Sequence, residues 1–209
     1  MAVILTTPNT LLGTFQPKSG VAQLATNLLT VLLGSALIAL AAKTNVPTWP
    51  VPVTLQGFAI AFLAAAFGWR IGVATVLAYL IEGAAGLPVF AGATAGIPYL
   101  VGPTAGFLLG FVPMAYIIGR AADLGASGRV FLLAVTMLIA DALLLVLGFL
   151  WLLSIGAGAS WLDQSNLVGS AFSKAVQPFI LWDALKMIFA AVTVSGLWTL
   201  FKKSAPDLY

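Results

Sequence analysis

Residues 129–155 read RVFLLAVTMLIADALLLVLGFLWLLSI, and after Arg129 the only ionisable side chain among them is Asp141. A helix crossing the hydrocarbon core of a bilayer needs about 20 predominantly apolar residues, so this run is long enough to cross with some tilt. A helix that is apolar all round offers water no polar stripe and must be surrounded by protein or lipid. The rest of the chain has the same character. Charged residues make up 7% of the 209, apolar residues 61%, and mean hydropathy is +1.10. No water-soluble globular surface can be built from that composition.

Further apolar runs, bounded by Pro, Gly or charge, fall near 21–43, 53–68, 70–86, 100–120 and 178–201. The expected fold is therefore an all-α membrane protein of six transmembrane helices: an N-terminal tail over 1–20, one membrane domain over 21–201, and a C-terminal tail over 202–209. The second and third runs meet at Phe67-Gly68-Trp69-Arg70, a connection short enough to predict a helical hairpin. The stretch from Gly86 to Gly102 is rich in Gly and Pro and nearly uncharged. Its backbone cannot face lipid unpaired, so it is expected to fold back into the protein. Residues 156–174 are small and polar and read as a flexible connection or cap.

Several function classes fall away. The chain has no cysteine and no histidine, which removes thiol catalysis, disulfides and histidine-based metal sites; no metal site is expected. No Walker-type phosphate loop is present, so any ATP is used by another chain. The formal charge of +3 reflects orientation in the bilayer rather than a nucleic-acid partner. The first apolar run is too long for a signal h-region and ends in Lys43, so the N-terminus is expected to be retained. Lys18, Arg70, Arg120, Arg129, Lys202 and Lys203 fall on one side of the predicted topology, Lys43 and Lys174 on the other. The positive-inside rule then puts both termini in the cytoplasm, and the Pro/Gly-rich connections 44–52, 87–99 and 156–177 face outward.

The sharpest chemical signal is Asp183 and Lys186, three residues apart and so on one face of the last helix. Counting from Pro178 at about 1.5 Å per residue, they lie about 8 and 12 Å below its outer end. An ionisable residue inside a span is a functional candidate because its burial is costly. A carboxylate there can accept ligand N–H groups, and an ammonium can pair with a ligand carboxylate. Two other readings stay open: the two residues only neutralise each other, or Lys186 pairs with Asp141. Glu82 either lines the same pocket or reaches the interface, and Asp141 reads as a tie between helices. Thr54 and Gln56 supply a hydroxyl and an amide at the start of a helix, while the glycines around Phe90 allow close backbone approach to a ligand. Gly102-Pro103-Thr104 opens the next helix in a similar way.

Val51-Pro-Val-Thr-Leu-Gln56, Gly86-Leu-Pro-Val-Phe-Ala-Gly92, Gly102-Pro-Thr-Ala-Gly-Phe107 and the Asp183/Lys186 helix together resemble the BioY family, the biotin-specific S components of energy-coupling factor (ECF) transporters. The resemblance runs from about Ser35 to Lys186. It implies the six-helix S-component fold and capture of biotin at the outer face of a prokaryotic plasma membrane, with no cofactor held by this chain. It also implies three partner chains: a transmembrane coupling subunit and two ATPases that use ATP. By position, Asp183 would serve the ureido ring and Lys186 the valerate carboxylate, with Thr54, Gln56, Phe90 and the glycine-rich backbone around Gly92 and Ala93 completing the pocket; Thr104 and Glu82 are further candidates for it, Glu82 departing from the family's pattern by adding an acid. A pair of small residues on the first helix, here Ser35 and Ala39, would dock the coupling subunit. A second class is an ion-coupled carrier for a small carboxylate-bearing solute, in which a buried acid binds a proton; an enzyme is a distant third.

Overall fold

The computed structural model describes residues 10, 11, 13, 17, 20–92 and 95–204, with side chains described as far as residue 201. Among the described residues seven α-helices follow one another from Gly20 on: α1 (Gly20–Lys43), α2 (Gln56–Ala84), the short α3 (Ile97–Leu100), α4 (Ala105–Asp123), α5 (Val130–Gly156), α6 (Leu167–Ala175) and α7 (Ile180–Ser204). Two short strands, β1 (Asn45–Val46) and β2 (Val53–Thr54), pair antiparallel between α1 and α2. Sequence patterning missed these strands because two-residue strands carry no periodicity. Five helical stretches among the described residues are long and apolar enough to cross a membrane; the fifth, Gln164–Phe201, contains α6 and α7.

α2 is one helix by hydrogen bonding but two by direction. Gly68 has φ 81° and ψ 170°, a conformation essentially reserved for glycine, and the chain reverses there. Gln56 and Tyr79 would stand roughly 35 Å apart in a straight helix, yet Gln56 Nε2 donates to the Tyr79 hydroxyl at 2.8 Å. The two arms touch closely: a Cβ on Gly72 would lie 2.9 Å from Ala64 Cα. The hairpin expected at Phe67–Arg70 is therefore present. Its turn is braced by α4, where a Cβ on Gly119 would lie 2.3 Å from Trp69 Cα, and by Ser127 Oγ, which donates to the Ala65 carbonyl at 3.0 Å.

The α2 hairpin and α4 form the centre, with α1, α5 and α7 around them. The outer helices leave long apolar side chains uncovered, among them Leu28, Leu32 and Leu40 on α1, Phe131 and Ile139 on α5, and Leu181 and Phe189 on α7. Exposed apolar area on this scale suits lipid rather than water. The segment after α2 does fold back, since Phe90 is fully buried. Residues 156–174, read from sequence as a flexible connection or cap, carry a short turn capped by Asp163 and most of α6, capped by Asn166.

Gly68→Ala should lower the thermal midpoint in detergent, the strained conformation costing a non-glycine residue about 1–3 kcal/mol. An unchanged midpoint would contradict the hinge.

Candidate functional site

At the end of the bundle where α2 and α4 begin, the loop 44–55 and the segment 86–104 close over a small cavity of about 50 Å³. Its lining comes from every surrounding element: Val51, Pro52 and Thr54 from the loop, Gln56 and Gly57 from α2, Ala91 and Tyr99 from the segment, Thr104, Phe107, Leu108 and Phe111 around α4, Leu144 from α5, and Phe179, Asp183 and Lys186 from α7. Most of the wall is apolar, with a few convergent polar groups, the usual composition of a small-molecule site. Next to it lies a depression of about 440 Å³ lined in part by Trp49, Gly92, Pro98 and Pro103. Pro52, Ala91, Tyr99 and Thr104 border both spaces and form the partition between them.

The polar groups are tightly held. Asp183 and Lys186, in the first two turns of α7, form a salt bridge with both side chains nearly buried. Lys186 Nζ also donates to the Thr54 carbonyl at 2.8 Å, tying α7 to β2. Lys186 thus pairs with Asp183 rather than with Asp141. Asp141 is itself buried on α5 within electrostatic reach of the pair, and its Oδ1 has no hydrogen-bond partner among the described residues. Gln56 is fixed at both ends: Nε2 donates to Tyr79, and Oε1 accepts from Thr54 Oγ1 at 3.1 Å. Trp151 Nε1 donates to the Gly102 carbonyl at 2.9 Å and so sets the turn that presents Thr104. Burial pushes the Tyr99 phenol above its ordinary range, so its hydroxyl is neutral and can donate or accept.

Of the residues singled out from sequence, Asp183, Lys186, Thr54, Gln56 and Thr104 meet in the cavity, and Gly92 lines the depression beside it. Three placements need correction. Glu82 does not line the cavity; it is half-buried and accepts a hydrogen bond from Ser35 Oγ at 2.8 Å. Phe90 is fully buried beneath the wall, stacked on Tyr99 at 4.8 Å and edge-on to Tyr79 at 5.4 Å, so it supports the site without facing it. Ser35 is buried against Glu82, which takes it off the outward side of α1, while Ala39 is half-buried and packs on the core. Ala93 lies outside the described residues. Sequence reasoning did not name Tyr99, which was detectable as a hydroxyl in an otherwise apolar Gly/Pro stretch.

Residues 14–203 match the BioY family. The chain belongs to that family. It is 33% identical to the biotin transporter BioY of Thermotoga maritima, over 76% of this chain and 87% of that protein. It is likewise 33% identical to biotin transporter BioY2 of Lactococcus lactis subsp. cremoris, over 80% of this chain and 86% of that one. Among solved structures it resembles the S-component for biotin from an ECF-type ABC transporter. The TM-score is 0.71 and the identity 26%, covering 84% of this chain and 92% of the other.

Removing one member of a buried ion pair leaves the other charge unpaired, which costs about 3–5 kcal/mol, whereas replacing both by apolar groups is far milder. Without ligand, Asp183→Asn should therefore destabilise the protein more than the double variant Asp183→Asn/Lys186→Met, as read by chemical or thermal unfolding in detergent. Equal losses would contradict a buried, mutually dependent pair.

Proposed function

We propose that this protein is the biotin-capturing subunit of an ECF-type uptake system. The observation that carries the reading is the Asp183–Lys186 pair at the polar side of an otherwise apolar cavity. The BioY relatives named as biotin transporters support it, as does the structural neighbour that binds biotin as an S-component. Biotin offers a cyclic urea at one end and a carboxylate at the other. In this reading Lys186 exchanges Asp183 and the Thr54 carbonyl for the ligand carboxylate, and the released Asp183 accepts the ureido N–H groups. Thr54, Gln56, Tyr99 and Thr104 supply the remaining polar contacts, and Phe107 and Phe179 pack on the ring and chain.

A cavity of about 50 Å³ is well below the ~300–1,000 Å³ typical of small-molecule sites. The outer depression, at about 440 Å³, is large enough but is lined by neither Asp183 nor Lys186, so a ligand that meets the pair must occupy both spaces. Binding therefore involves withdrawal of the partition formed by Pro52, Ala91, Tyr99 and Thr104, followed by its closure over the ligand.

The two arms of α2, with α1, α4, α5 and α7, make six apolar segments. We read them as six spans with both termini in the cytoplasm of a prokaryotic cell and the cavity facing outward. The chain is a transport subunit and not an enzyme, as its relatives are named transporters. Energy would come from a transmembrane coupling subunit and two ATPases using ATP, docked on the outward side of α1. The other class open from sequence, an ion-coupled carrier, is not favoured by these relatives.

The test is calorimetric titration of detergent-purified, ligand-stripped protein with biotin, and with thiamine and riboflavin as controls. Saturable tight binding of biotin alone is expected; no binding of biotin would overturn the proposal. Lys186→Met should weaken biotin by about 10- to 100-fold, the worth of a hydrogen bond to a charged group. It should barely affect a biotin ester lacking the free carboxylate, and equal losses for both would refute the carboxylate role.

A further inference from the structure

α1 reaches the segment after α2 through a side chain at its end. Lys43, at its C-terminal end, extends to the segment after α2 and donates from Nζ to two carbonyls, Phe90 O at 2.7 Å and Gly92 O at 2.8 Å. These carbonyls flank Ala91, which is nearly buried and belongs to the partition between cavity and depression. Gly92 has φ 79°, a left-handed turn that lets residues on both sides of Ala91 point their carbonyls at one cation. The other anchors of this stretch lie below it: the Phe90 ring fills the space left by Gly83 and packs on Tyr79 and Tyr99. No regular helix or strand holds residues 85–92, so the Lys43 bonds, the Phe90 ring and the Tyr79 hydroxyl, which donates to the Val89 carbonyl at 3.4 Å, fix where Ala91 stands. We propose that Lys43 is a positioning residue for ligand binding: it touches no part of the cavity, yet sets the wall that closes it, and a displacement of α1 reaches that wall through this side chain. The proposal rests on the biotin reading for its ligand and on geometry alone for the tether.

The chain has no cysteine, so a single Ala91→Cys reports the wall directly. The rate at which a membrane-impermeant maleimide labels it, without ligand, should rise at least tenfold in an added Lys43→Met background and return to the parent rate with Lys43→Arg. Arginine keeps the charge and enough donors for both carbonyls. In the cysteine-free protein, Lys43→Met should lower biotin affinity about tenfold at an unchanged thermal midpoint, the worth of a charge-assisted hydrogen bond, and Lys43→Arg should restore it. If Lys43→Met does not yield folded protein, Lys43→Gln replaces it with the same directions expected. Unchanged labelling would overturn the tether. Faster labelling with unchanged biotin affinity would overturn the positioning role. Absence of biotin binding in the parent protein would instead remove the biotin reading, with the labelling result still deciding whether Lys43 holds the wall.

Discussion

Two opposite charges buried three residues apart on α7 constrain everything around them. An ammonium inside an apolar bundle must have all its strong partners close at hand, because the surroundings supply no water to replace them. Lys186 finds one in Asp183 and another in the Thr54 carbonyl. The second bond reaches out of the helix and holds β2, and β2 leads directly into Gln56, whose side chain is held by Thr54 and Tyr79. One charged side chain thereby sets the position of the loop that covers the cavity and of the helix start that lines it. In the proposed binding reaction the same ammonium would meet the ligand carboxylate, so stability of the empty protein and recognition of the ligand would compete for it.

The remaining architecture brings these elements within reach. In lipid, helices gain little from burying apolar area against each other, and close contact depends on small residues. Gly72 against Ala64, Gly119 against the backbone at Trp69, Gly106 against Trp151 and Gly148 against Phe107 are contacts with no room for a Cβ. The reversal at Gly68 returns the second arm of α2 alongside the first, and only then can Tyr79 meet Gln56. The Pro/Gly stretches at this end trade helical hydrogen bonds for specific ones: Lys43 to Phe90 and Gly92, and Trp151 to Gly102.

Much of this was legible in the sequence, and the exceptions have physical reasons. Long apolar runs, the hairpin at Gly68 and the shared face of Asp183 and Lys186 depend on local spacing, which a linear reading captures. The inward folding of the segment after α2 followed from its lack of charge. Glu82, Phe90 and Ser35 were misplaced because their surroundings depend on pairings across the fold. Ser35 and Glu82 meet across 47 positions, and neither composition nor periodicity says which face of α1 turns toward α2 when every face is apolar. Phe90 looks like a pocket aromatic until Gly83 is seen to make room for its ring. The apolar run near 100–120 begins before α4 does, because residues 100–104 are as apolar as the helix; Gly102-Pro103-Thr104, read as its opening, immediately precedes Ala105.

The most direct test of the central claim is a structure of the protein with biotin bound. In that structure Lys186 Nζ should leave Asp183 and the Thr54 carbonyl to meet the valerate carboxylate, Asp183 should accept the ureido N–H groups, and cavity and depression should join into one enclosed site. Biotin seated elsewhere, with the Asp183–Lys186 pair and its bond to Thr54 unchanged, would contradict that claim.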